Sequence, residues 1–205
     1  MRTLRQPFQI IRANLRAYLA MNALMYGLFL IGMGAALLFP ELNAAQIADQ
    51  QENGTTDLVV SLLSNVWLFS LTILLVNVVT VAVLTILLPS MVVPFAGIVI
   101  FMYRAFNFGV VLAPVDETTA KILIPHSLTI LIEFQAYVLV MLAAYVLGKA
   151  WLRPRTVGAR NRRQGYVLGL RQIGWLGLPA MVLFVIGAVY EAFEIIYLVP
   201  PLLAG

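Results

Sequence analysis

The sequence predicts an all-α membrane bundle of five transmembrane helices, N-terminus inside and C-terminus outside. Three observations carry that prediction. Of 205 residues, 62% are hydrophobic and only 11% charged, with a mean hydropathy of +0.95. A soluble domain is roughly 45–50% apolar and about 25% charged, so a compact soluble enzyme of this composition would lack the polar residues to cover its surface. Long apolar runs with little charge also exclude a disordered chain. The second observation is the presence of five apolar segments of spanning length. The third is a one-sided distribution of arginine and lysine.

A hydrocarbon core of ~30 Å needs about 20 apolar residues in a helix rising ~1.5 Å per residue. Segments 17–39, 66–88, 91–112, 123–148 and 173–199 meet that length. Pro40, Pro89, Pro114 and the pair Pro200, Pro201 close four of them, as proline lacks the N–H that a helix interior requires. A β-barrel would need short segments of alternating polarity. Leu71 to Leu88 is apolar on every side instead, and backbone groups in lipid must bond within the helix. Residues 58–64 precede the second span as an interfacial piece or as the outer end of a tilted helix. The short join Leu88-Pro89-Ser90 predicts a tight hairpin between spans two and three.

Arg2, Arg5, Arg12 and Arg16 precede the first span. Lys149, Arg153, Arg155, Arg160, Arg162, Arg163 and Arg171 lie between the fourth and fifth. These segments hold every basic residue except Arg104 and Lys121, and no acid. The opposite loops carry Glu41, Asp49, Glu52, Asp57, Asp116 and Glu117. An odd number of spans puts both basic segments on one side, which the positive-inside rule makes the cytoplasm. The first span exceeds the roughly 7–15 apolar residues of a signal peptide and reads as an uncleaved anchor. Residues 1–16 form a separate interfacial segment in which Leu4, Phe8, Ile11 and Leu15 fall on one side of a helix. Its arginines, with Arg160, Arg162 and Arg163, are expected to contact anionic lipid headgroups. The basic loop lacks interleaved aromatics apart from Trp151 and Tyr166, so membrane lipid rather than nucleic acid is the expected partner. Residues 17–205 then form a single helical domain of a cell-membrane protein.

Ionisable groups inside lipid cost at least ~2.5–3.5 kcal/mol each on insertion scales. Arg104, Glu133, Glu191 and Glu194 pay it here. Counted from the outer ends of their spans, Arg104, Glu133 and Glu191 share one depth. That level predicts an ion pair between Arg104 and Glu133 or Glu191. His126 and Glu133, seven residues apart, share a helix face, as do Glu191 and Glu194. Asn77 and Asn107 are placed to join the cluster. It serves as interhelical glue, as a path or site for an ion, proton or small polar ligand, or as a surface that recognises a partner. One histidine and scattered acids lack metal-ligand spacing, and Ser127 beside His126 points away from it, so neither a metal centre nor a hydrolase is expected. With no cysteine, disulfides and thiolate chemistry are excluded. Small residues Gly32, Ala36, Ala136, Ala143, Ala144 and Gly187 permit close helix contact within the bundle or with a partner helix.

The run Leu123-Ile124-Pro125-His126 followed by Glu133 and an alanine-rich stretch to Leu147-Gly148 resembles the stage II sporulation protein M family. So does Arg104-Ala105-Phe106-Asn107-Phe108-Gly109 before it. The likeness covers about residues 91–148. The seven-residue step from His126 to Glu133 is longer than the family's usual single turn. The resemblance implies an integral inner-membrane protein of bacteria or archaea that is not an enzyme and carries no cofactor. It implies a scaffold or anchor joined to other membrane proteins or to copies of itself. The alternative is a permease or transport subunit using the buried Arg/Glu/His cluster. A third possibility is an accessory subunit of a respiratory or photosynthetic complex.

Overall fold

The computed structural model describes residues 5–204, and Arg2 and Leu4 lie outside them. The fold is all helical: α1 Gln6–Ala13, α2 Leu15–Leu38, α3 Pro40–Glu52, α4 Thr55–Leu62, α5 Val66–Val92, α6 Ala96–Val111, α7 Glu117–Leu152 and α8 Arg162–Ala204. Helices α2, α5, α7 and α8 are long and apolar enough to cross a membrane, and α6 is a shorter apolar helix. At ~1.5 Å per residue its 16 residues extend about 24 Å.

The helices alternate in direction. The α5–α6 turn at 93–95 lies at the basic end, where Tyr166 donates to the Met91 carbonyl at 3.1 Å and the Phe95 ring covers Gly148. At the other end buried Asn43, on α3, donates to the carbonyls of Val110 and Val111 at 2.8 and 3.1 Å. Those carbonyls end α6 and have no partner within the helix. Helix α1 packs against α8. The two arginine-rich segments therefore share one end of the bundle, and the acidic loops share the other.

α7 is the axis of the bundle. From Phe134 to Ala150 nearly all of its residues are buried. It packs along α8 through Gly165, whose missing Cβ admits the Ala150 carbonyl, and through Gly169 against Leu147. Gly32 on α2 and Gly109 on α6 each receive the other helix's backbone, at Phe106 and Phe29. The small residues of the first span are thus spent inside this chain. Asp116 caps α7: its side chain accepts from the Thr119 N–H at 2.8 Å, and Thr119 answers the Asp116 N–H. That backbone bond comes first among those holding the Asp116 carboxyl below its ordinary range.

Several boundaries differ from those the sequence predicts, and the prolines are the reason. Pro40 does stop α2 and starts α3. Pro89, Pro200 and Pro201 instead lie within helices. The helix expected over 66–88 runs Val66–Val92, the one expected over 91–112 is the shorter Ala96–Val111, and the one expected over 173–199 runs Arg162–Ala204. These two proline sites follow a π-helical stretch, Val76–Leu87 before Pro89 and Glu194–Leu198 before Pro200, whereas Pro125 in α7 and Pro179 in α8 are taken into α-helix without one. A proline ring clashes with the carbonyl four residues back, and the wider π turn moves that carbonyl away. In the first stretch the Thr85 hydroxyl donates to the Thr80 carbonyl, five residues back, at 2.8 Å. The α5–α6 break is made at Phe95, which takes left-handed backbone at φ 69°. Such strain persists where packing over-determines it, and here the ring lies between Gly148 and Tyr145. The fourth span, expected over 123–148, extends at both ends to Glu117–Leu152, with Pro125 inside it. Most of residues 58–64 lie in the separate helix α4, before Asn65 caps α5.

Candidate functional site

α5, α7 and α8 bring the polar residues together in the half of the bundle nearer the acidic loops. The Asn77 side-chain amide donates to Glu133 Oε1 at 2.6 Å, and its carbonyl accepts from the Tyr137 hydroxyl at 2.7 Å. Asn77 lies in the π stretch of α5, where insertions in the helical ladder often mark functional positions. Glu133 and Tyr137 are four apart on α7 and share a face. Gly187 on α8 makes room for Glu133: a Cβ there would stand 2.7 Å from Glu133 Cγ. Glu191, one turn along α8 from Gly187, lines the same cavity as Glu133.

A second group sits beside it. His126 Nδ1 donates to Glu194 Oε1 at 3.1 Å, and the Thr129 hydroxyl donates to Oε2 at 2.7 Å. Glu194 is fully buried and both its oxygens are satisfied. The Tyr190 hydroxyl donates to the Pro125 carbonyl at 3.2 Å. This group fastens α7 to the π stretch of α8.

Between the two groups lies a cavity of about 230 Å³. Asn77, His126, Thr129, Glu133, Tyr137 and Glu191 supply its polar wall, with Gln50 of α3 at its mouth. Phe108 and Phe134 form part of the apolar wall. Phe108 stacks on Phe134 and Tyr137, and Tyr137 meets Phe101 and Phe184 edge-on or tilted at 5.1 and 5.0 Å. Phe108, Phe134 and Tyr137 bring this aromatic layer to the cavity wall. Among the described residues no lysine or arginine lines the cavity.

Arg104 is the main departure from the sequence reading. It makes no ion pair with Glu133 or Glu191. Among the described residues the ion pairs are Lys121–Glu117 at 3.0 Å and His126–Glu194 at 3.1 Å. The Arg104 guanidinium instead lies 5.6 Å from the centre of the Phe108 ring, and its Nε is buried without a hydrogen-bond partner. The guanidinium meets the ring of Phe108, which itself lines the cavity with Glu133 and Glu191. Asn107 also stays out of the cluster, making no side-chain hydrogen bond among the described residues. Asn77, His126, Glu133, Glu191 and Glu194 do converge.

Sequence reasoning missed a neutral network on the other side of α7. Gln135 accepts from the Tyr18 hydroxyl at 2.8 Å and donates to Asn22 Oδ1 at 2.8 Å and to the Tyr26 hydroxyl at 3.0 Å. Tyr18, Asn22 and Tyr26 recur every four residues along α2, a polar stripe that carried the signal. Arg5, Arg12, Arg16, Arg160, Arg162 and Arg163 are exposed. Among the described residues no group of three His, Asp or Glu side chains is placed to hold a metal ion. Compared with protein-family profiles, curated proteins and solved structures, the chain matches none.

Proposed function

We propose that this is a subunit of a cell-membrane transport complex that takes up a proton or small cation into the carboxyl-lined cavity. The observation that carries this is that Glu133 and Glu191 line one cavity in which, among the described residues, no lysine or arginine takes part. Two carboxylates side by side in a membrane interior repel, and a proton or cation between them removes that cost. Asn77 and Tyr137 orient Glu133 for the task. In this reading α6 completes a five-span topology, the basic end faces the cytoplasm and the cavity faces outward. The positive-inside rule and the sharing of one end by both basic segments support it. In the same reading the aromatic layer of Phe101, Phe108, Phe134, Tyr137 and Phe184 makes the cavity a dead end, so onward transfer requires that layer or a partner subunit to move.

The test is proton uptake by proteoliposomes holding a pH-sensitive dye, after an external acid pulse. Wild-type vesicles should acidify faster than empty ones, and Glu133→Gln should return them to the empty-vesicle rate while the protein stays folded. Equal rates for wild type and Glu133→Gln would refute the proposal.

A second reading, a non-enzymatic scaffold or anchor similar to the stage II sporulation protein M family, is favoured by the His126–Glu194–Thr129 group. The Pro-His of the resemblance falls on that group, which is saturated internally and fastens α7 to α8. It predicts no uptake above empty vesicles, and co-purification with partner proteins that Glu194→Ala abolishes.

A further inference from the structure

We propose a second site, at the basic end of the bundle, that binds the phosphate of an anionic phospholipid against Lys149. The helix breaks between α1 and α2 at Asn14, and the Lys149 ammonium of α7 reaches that elbow, donating to Asn14 Oδ1 at 2.8 Å. Its other two N–H bonds have no acceptor among the described residues. On one side of Lys149 lies a cleft of about 480 Å³ lined by Arg12, Asn14, Arg16 and Tyr145. On the other lies one of about 260 Å³ lined by Phe95, Tyr145, Leu152 and Arg153. No carboxylate lines either cleft, and none pairs with these cations among the described residues. Several donors around an ammonium, with no counter-charge, match the oxygens of a phosphate.

The surroundings favour a lipid over a free ion. Leu15 and Leu19 of α2 are 49% and 57% exposed beside the Arg16 cleft, and Leu152 is 46% exposed beside Arg153. Acyl chains descending from a bound headgroup would cover this apolar surface. Tyr145 lines both clefts and is a residue type enriched at the headgroup level, and basic pockets between helices on the cytoplasmic side are the usual form of such sites.

Native mass spectrometry of the detergent-solubilised full chain tests this, with phosphatidylglycerol, phosphatidylcholine and inorganic phosphate as separate additions. Phosphatidylglycerol should stay bound and raise the melting temperature, and the other two should do neither. The double variant Arg16→Gln/Lys149→Met should bind phosphatidylglycerol about twenty-five-fold more weakly, at roughly fivefold per cation removed. Arg16→Gln alone, a change at an exposed side chain, should show the single step without disturbing the fold. Arg160→Gln/Arg163→Gln removes the same charge away from the clefts and should retain the lipid. Equal retention of phosphatidylcholine overturns the proposal, as does undiminished phosphatidylglycerol binding by the double variant. Stabilisation by inorganic phosphate equal to that by lipid overturns the lipid assignment in favour of a soluble phosphate compound.

Discussion

Glu133 and Gln135 stand two residues apart on α7, nearly isosteric, and the bundle uses them in opposite ways. Gln135 is saturated by neutral partners: Tyr18, Asn22 and Tyr26 take its oxygen and its amide, and no charge is buried. Glu133 receives one donor, from Asn77, and faces a cavity and a second carboxyl. A neutral amide holds α2 to α7 without the cost of a buried charge. An acid at the same level serves packing no better than glutamine would, and its unfilled valence is what the proposed uptake draws on.

Exchange experiments sharpen that contrast. The largest effect belongs to Glu133→Gln, which keeps an oxygen for the Asn77 amide. Uptake in vesicles should vanish while thermal stability changes little. Gln135→Leu should do the reverse: three interhelical bonds are lost, for roughly 2 kcal/mol at the modest value of such bonds in membranes, with uptake unchanged. Unfolding in mixed detergent micelles measures the first quantity and the vesicle assay the second. If both variants lose uptake and stability together, the two networks are one.

Gly187→Ala is smaller. Its Cβ would press on Glu133 Cγ from 2.7 Å, and the flexible carboxyl arm yields into the cavity, so uptake falls severalfold at a cost of about 1 kcal/mol. Tyr137→Phe should cost about the same, roughly 1 kcal/mol, since it leaves the Asn77 carbonyl in the interior without its donor. Smallest is Asp116→Ala at the start of α7, which should speed hydrogen exchange of residues 117–120 and leave uptake alone. Acid should mimic it. The Asp116 carboxyl is held below its unfolded value by the Thr119 N–H, so its contribution is present above the ordinary carboxylate range and is lost as the pH falls through the depressed folded value.

Composition and charge made the helical class and the common end of Arg12, Arg16 and Lys149 legible in the sequence, because both follow from what lipid excludes. Prolines were read one by one as stops, which fits Pro40. Pro89 and Pro200 escaped because a preceding π stretch, set by packing rather than by local propensity, accommodates them. The depth of Glu133 and Glu191 could be counted along the chain. The direction of the Arg104 side chain could not, and its guanidinium meets the Phe108 ring instead. Gln135 was overlooked because an amide carries no charge to attract notice, although its partners form a regular stripe on α2.

The most direct measurement is an infrared difference spectrum of the protein in lipid between acid and neutral pH, with Glu133→Gln and Gln135→Leu beside the wild type. A protonated-carboxyl stretch that appears on acidification in the wild type and in Gln135→Leu, and is missing in Glu133→Gln, is the predicted result. An unchanged carboxyl band in Glu133→Gln would contradict the assignment of the cavity as the site of uptake.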